Sequence, residues 1–308
     1  MKTNASLHLS GKIRSLLQNF SEIRPVLLRP GIKYILLATV FFQLMNTCVK
    51  FVPDIPAHQI IFFRCIISLS FSFVHLKMLN IDPWGNNKVA LILRGIFGMA
   101  SLTAFFITLQ RMPLATAVTI QYLSPIFTII FATFILGEKT RPLQYLFFIL
   151  SFIGVLIVRG FDERIATTDL ILGITSAMFS GLAYNMIRKS RNTEHPLVVV
   201  FYFPLVALPI ITVWCFTEWV NPQGWDWVFL ILTGIFTQIA QVFMTRAYQL
   251  EKASTISGLQ YLGLIYSLSI GYFIFDETYT WMSILGMILI VLGILFNLFY
   301  EKVKSNAS

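Results

Sequence analysis

The sequence predicts an all-α integral membrane protein, with ten transmembrane helices arranged as two inverted five-helix repeats. Three observations carry that prediction. The 308-residue chain is 56% hydrophobic and only 12% charged, with mean hydropathy +0.75, which is outside the range of a water-soluble domain. Apolar runs of roughly 20 residues, the length that crosses a bilayer, alternate with short polar or proline-marked breaks. Finally, the sequence matches itself when shifted by 139 residues, so that Leu91 falls on Leu230.

Residues 1–30 are basic and partly amphipathic, with Lys12, Arg14, Leu16, Leu17, Phe20, Ile23 and Arg24. They lack the compact apolar core and small-residue cleavage site of a secretory signal, so they are expected to stay attached and lie on the cytoplasmic face. Spans one to five follow near 32–51, 57–78, 88–110, 114–136 and 142–159, forming a first repeat over 31–160. Spans six to ten lie near 168–188, 196–217, 225–247, 254–275 and 281–300, forming a second repeat over 168–300 with a cytoplasmic tail at 301–308.

Lysine and arginine in short loops set insertion direction. With the N-terminus inside, the cytoplasmic side collects most of them, while the outer side receives only Lys50, Arg111, Arg159 and Arg164. Both termini are therefore expected in the cytoplasm of a bacterial inner membrane. Trp219, Trp225 and Trp227 then fall at the outer interface, as in an aromatic belt. The net charge of +9 is spread over loops rather than gathered on one face, so nucleic acid is not an expected partner.

The internal match extends well beyond apolar residues. The same shift places Gln121-Tyr122-Leu123 on Gln260-Tyr261-Leu262, Asn46 on Asn185, Gln110 on Gln249, Gly154 on Gly293, Pro83 on Pro222 and Glu138 on Glu277. Polar, glycine and proline matches at one offset are hard to obtain by chance among apolar helices, and they indicate duplication. A unit of five spans is odd, so the second copy enters the membrane from the opposite side. Inverted halves of this kind suit a carrier that opens a central site alternately to each side.

Polar residues within the spans are the candidate substrate contacts. Span one carries Gln43 and Asn46 on one stripe with Thr39 and Lys50. Span four offers Thr119, Tyr122 and Gln121, span six Ser176, Ser180, Tyr184 and Asn185, span eight Gln238, Gln241 and Thr245, and span nine Ser257, Gln260 and Tyr261. For any single polar residue, helix-to-helix glue is the alternative. Arg64 lies deep in span two, where an unpaired charge costs several kcal/mol; it reads as a gate, an anion contact or, in preference, a structural anchor. Arg94 and Arg246 lie nearer the cytoplasmic ends of spans three and eight, where each reads either as a long side chain snorkelling to water or as a gating or structural charge. Pro125 is expected to interrupt span four, and Pro204 and Pro209 span seven.

No phosphate-cradling loop, zinc-protease motif or nucleophile elbow occurs in the sequence. Cys48, Cys65 and Cys215 are scattered through apolar stretches without ligand or disulfide spacing. No enzymatic activity, cofactor or metal is expected. The expected partners are a small solute and the lipid bilayer, with a homodimer left open.

The stretch from Arg94-Gly95 through Pro113-Leu114-Ala115-Thr116-Ala117 and Ser124-Pro125 to Leu136-Gly137-Glu138-Lys139 resembles the EamA family of the drug/metabolite transporter superfamily. Phe62-Phe63-Arg64 and Gly154-Val155-Leu156 resemble it too, and the likeness runs from about residue 32 to 300. The resemblance implies ten helices, cytoplasmic termini and a central cavity lined by spans one, three, four, six, eight and nine, with five and ten at the periphery. Within the family, Phe62-Phe63-Arg64-Cys65, Arg94-Gly95, Gln260-Tyr261-Leu262 and Tyr272-Phe273-Ile274-Phe275 look most like S-adenosylmethionine uptake carriers. Exporters of amino acids and related metabolites share the pattern, and a non-transporting scaffold is the reading from another class.

Overall fold

The computed structural model describes residues 30–137, 142–160, 165–250, 259–260 and 262–305, and among these every regular element is helical. Helices α1 (Pro30–Lys50), α2 (Ala57–Met78) and α3 (Lys88–Arg111) match spans one to three within a few residues. Span four is divided into α4 (Leu114–Gln121) and α5 (Ser124–Ile135). Then come α6 (Pro142–Gly160), α7 (Thr167–Ser190), α8 (Pro196–Cys215), α9 (Asp226–Leu250), α10 (Leu262–Phe275) and α11 (Trp281–Ser305). Among the described residues seven helical stretches are long and apolar enough to cross a membrane, α4 and α5 counting together, and the apolar segments Leu143–Val158, Leu262–Phe275 and Trp281–Phe296 are shorter. Large apolar side chains point outward, as a lipid-facing bundle requires; Phe134 is 81% exposed and its repeat counterpart Phe273 is 78% exposed.

The two halves are related by a pseudo-two-fold axis, visible in which helices touch. Exchanging the halves turns the α1–α9 pairing into α7–α3, α2–α9 into α8–α3, and α1–α10 into α7–α5. The pairs α2–α8 and α6–α11 are their own counterparts, so they meet across the axis, and α4 of the first half packs against α10 of the second. The symmetry reaches individual atoms. A Cβ at Gly154 would lie 2.6 Å from the Gly286 carbonyl oxygen, and one at Gly293 would lie 2.7 Å from that of Phe147, the same contact carried through the repeat. Likewise Gly95 abuts Val206 and Gly234 abuts Ile67. Backbone turns repeat as well: Gly85 and Gly224 have φ of 58° and 49°, and Gly137 and Asp276 have 69° and 50°. The left-handed region suits glycine, and Asp276 is a residue type that tolerates it.

Proline acts differently in the two places where the sequence predicts a break. Pro125 occupies the first turn of α5, where its missing N–H costs nothing, and the chain turns just before it at Tyr122 and Leu123. By contrast, α8 runs uninterrupted through Pro204 and Pro209. Membrane helices absorb prolines when packing around them resatisfies the backbone, and α8 is held on one side by α2 and on the other by α3.

One end of the bundle is tied shut across the halves. Lys50, at the end of α1, forms an ion pair with Glu277 and donates to the Met112 carbonyl at 2.9 Å. The Glu277 carboxylate, 7% exposed, accepts the Leu114 backbone N–H at 2.9 Å and the Tyr279 hydroxyl at 2.5 Å. It therefore caps α4, a helix of the opposite repeat, by neutralising an otherwise orphaned N–H at a positive helix end. Glu138, its repeat counterpart, lies outside the described residues. Lys189, which the shift pairs with Lys50, is exposed at the end of α7.

Candidate functional site

Between the helices lies a cavity of about 190 Å³, far more than the ~10–15 Å³ one water needs. Its wall is built by α1, α2, α3, α4, the start of α5, α7, α8, α9 and residue 260 ahead of α10. This is the expected lining plus α2 and α8, which the resemblance would have left out. Their contributions are Arg64 and Phe203, two positions that the 139-residue shift carries onto each other. A pair of equivalent residues facing one another is what a two-fold axis through the cavity produces.

Several predicted contacts do converge here. Gln43, Asn46, Tyr122, Tyr184, Gln241 and Gln260 all line the cavity. The α1 stripe works as its spacing suggests: Gln43 Nε2 donates to the Gly263 carbonyl at 2.9 Å, and Asn46 Nδ2 donates to Gln43 Oε1 at 3.3 Å. Tyr122 Oη donates to the Gln260 carbonyl at 2.8 Å, joining the α4 end to the start of the α10 segment. Ser257 and Tyr261 lie outside the described residues.

Three of the predicted contacts sit elsewhere. Thr119 is fully buried and its hydroxyl donates back to the Ala115 carbonyl at 2.6 Å. Asn185 donates to the carbonyls of Thr128 and Gly181, both at 2.9 Å, and so clamps α7 to α5. Gln238 exchanges hydrogen bonds with Ser68 and Ser72 of α2, at 2.5 Å and 3.0 Å. For these residues the glue alternative describes the geometry, because a polar face on a helix serves a neighbouring helix as readily as a cavity.

The three arginines separate in the same way. Arg246 is exposed, with its guanidinium 6.0 Å from the Tyr34 ring, and fits the snorkelling expectation. Arg94 does not: it is only 8% exposed and lines the cavity. Its helix begins at Lys88, so Arg94 sits almost two turns inside, and the side chain folds inward across Gly98, where any Cβ would meet Arg94 Nη1 and Phe203. Arg64, 4% exposed, also faces the cavity. Its Nε donates to Thr237 Oγ1 at 3.0 Å, while its guanidinium lies 4.9 Å from the Phe203 ring and that of Arg94 lies 5.4 Å from the same ring.

Gln121 and Ser180, both expected from the sequence, also line the cavity, whereas Ser101 and Phe203 line it without having been singled out by the sequence. Ser101 Oγ lies 2.6 Å from Ser180 Oγ, and Gln121 Nε2 donates to Ser180 Oγ at 2.7 Å while its Oε1 accepts from Ser176 at 2.8 Å. Ser176 and Ser180 sit on one α7 face by spacing, but Ser101 stands alone in an apolar stretch. Phe203 is one aromatic among many in α8, and the shift that pairs it with Arg64 was the available signal.

A multi-pass helical bundle folded from two inverted halves around a central cavity with a few convergent polar groups defines a membrane transporter of small solutes. The EamA-like transporter family profile matches residues 29–160 and again 167–299, and the chain belongs to that family. Among curated relatives, the pseudopaline exporter CntI of Pseudomonas aeruginosa strain UCBPP-PA14 is 28% identical over 270 residues, covering 87% of this chain and 95% of the relative. Solute carrier family 35 member G1 of Homo sapiens is 30% identical over 280 residues, covering 85% and 76%. The S-adenosylmethionine uptake transporter of Rickettsia prowazekii strain Madrid E is 24% identical over 285 residues, covering 90% and 95%. A solved crystal structure superimposes with TM-score 0.60 at 17% identity, covering 86% of this chain and 93% of the other, which supports the fold.

Proposed function

We propose that this protein carries a small polar metabolite across a bacterial inner membrane by alternating access, with both termini in the cytoplasm. The observation that supports the reading most is the cavity on the pseudo-two-fold axis, because a site shared by two inverted halves can be exposed to either face by exchanging their conformations. In this topology the Lys50–Glu277 end is the outer face, and the ion pair closes it. Gln43, Asn46, Tyr122, Tyr184, Gln241 and Gln260 are proposed as substrate contacts. The relatives' names give two directions, uptake of S-adenosylmethionine and export of pseudopaline; export of amino acids or related metabolites is the alternative to uptake here.

Flux into proteoliposomes tests the reading, using labelled amino acids, nucleotides and S-adenosylmethionine. Saturable uptake of at least one solute is expected, accelerated by the same unlabelled solute on the far side. Asn46→Leu is expected to reduce it by about 10-fold or more, the loss that accompanies about 1.4 kcal/mol of binding free energy. Silence across the panel, or flux indifferent to Asn46→Leu and Gln241→Leu together, would count for the scaffold reading.

A further inference from the structure

The cavity holds two cations with no carboxylate among the described residues to balance them. Arg64 and Arg94 are both more than nine-tenths buried, and neither forms an ion pair among the described residues. No Asp or Glu lines the cavity among those residues. The shared Phe203 ring offers each guanidinium a cation–π contact, but such a contact leaves the charge in place. Burying an unpaired charge in a membrane protein costs several kcal/mol, and residues that carry that cost line substrate or ion pathways by default.

Among the described residues five buried side-chain atoms have no hydrogen-bond partner: Thr116 Oγ1 and Asn185 Oδ1 lie away from the cavity, while Arg64 Nη1, Arg94 Nε and Asn46 Oδ1 belong to residues that line it. A guanidinium fork matches a carboxylate in shape and charge, while the Asn46 oxygen needs an N–H or O–H.

Building on the carrier reading, we propose that the substrate is an organic anion, carrying carboxylate groups for Arg64 and Arg94 and an amino or hydroxyl donor for Asn46. A net cation fits this chamber poorly. The sulfonium and amine of S-adenosylmethionine would meet the two arginines with no described carboxylate to offset them, although its single carboxylate would bind. The observations thus favour an acidic amino acid or a larger amino-carboxylate over a cationic metabolite.

The test uses the purified full chain in nanodiscs, with thermal unfolding as the first readout. Glutamate, citrate and aspartate are expected to raise the midpoint in a concentration-dependent way, whereas lysine, spermidine and S-adenosylmethionine at equal ionic strength are expected to shift it less. Without solute, Arg94→Met is expected to raise the midpoint by about 2–4 °C, because it removes a buried unpaired charge. Arg94→Met and Arg64→Met are expected to abolish the anion effect, and Arg94→Lys and Arg64→Lys to retain part of it. Cations stabilising the wild type as well as anions do, or a lowered midpoint in both Met variants, would overturn the proposal by marking the arginines as structural anchors. Flux separates the two levels of the argument. Anion stabilisation without flux keeps the site and removes the carrier; flux of neutral or cationic solutes alone keeps the carrier and removes the anion site.

Discussion

Replacing Glu277 with alanine is expected to open the Lys50 end of the bundle. In the native chain this carboxylate balances Lys50, accepts the first N–H of α4 and receives the Tyr279 hydroxyl. These contacts join α1 and α4 of one half to the segment after α10 in the other. Losing one partner of a buried pair costs about 3–5 kcal/mol, and the state in which the ends separate escapes that cost because Lys50 regains water. A bias of about 3 kcal/mol is on the order of 100-fold in the ratio of open to closed molecules. The readout is a single cysteine at Asn46, in a chain whose Cys48, Cys65 and Cys215 are replaced by alanine, challenged with a membrane-impermeant maleimide. Labelling from the Lys50 face is expected to accelerate by one to two orders of magnitude in Glu277→Ala, and less in Glu277→Gln, whose amide oxygen still accepts from Leu114. A cysteine at Ile290, buried between α6 and α11, is expected to stay unreactive. Equal labelling rates at position 46 would show that the ion pair does not hold that end closed.

The second large effect concerns stability. Gly154 meets α11 at the Gly286 carbonyl, with Ile290 N at 2.9 Å from where a Cβ would stand. Both neighbours are backbone, so a side chain cannot be accommodated by a rotamer change and the helices must part. Small residues that let membrane helices approach this closely supply the dispersion contacts that hold them together. Gly154→Leu is expected to lower the thermal midpoint by roughly 5–10 °C, from an overpacking cost of about 1–3 kcal/mol. Because neither α6 nor α11 lines the cavity, the fraction that folds is expected to keep its substrate affinity. An unchanged midpoint would mean that the α6–α11 pair contributes little to the fold.

How far the sequence discloses this molecule depends on what each feature needs. Helix positions need only local hydropathy, so spans predicted near 57–78 and 88–110 recur as α2 and α3. The pseudo-two-fold needs only the repeat, and the matched glycine contacts at Gly154 and Gly293 follow from it. Side-chain destinations need the rotation of each helix about its own axis, which hydropathy does not specify when both lipid and protein neighbours are apolar. Asn46 and Asn185 make the point: the shift equates them, yet one faces the cavity while the other clamps α5. Arg94 is the converse case. A long side chain near a helix end is free to snorkel, but the absence of a Cβ at Gly98 leaves room for it to turn inward onto Phe203. The cavity's positive charge therefore became visible only once Arg64, Arg94 and Phe203 were seen together.

Alternating access in this bundle requires two halves that cross the membrane in opposite senses. Reporter fusions joined after Gly137 and after Asp276 test this directly, because the repeat equates these positions and both carry a left-handed backbone turn. Alkaline phosphatase activity at one junction and green fluorescence at the other is the expected result, with Gly137 inside and Asp276 outside. The same reporter active at both positions would place the halves in parallel, and a shared site opened by exchanging their shapes would have no structural basis.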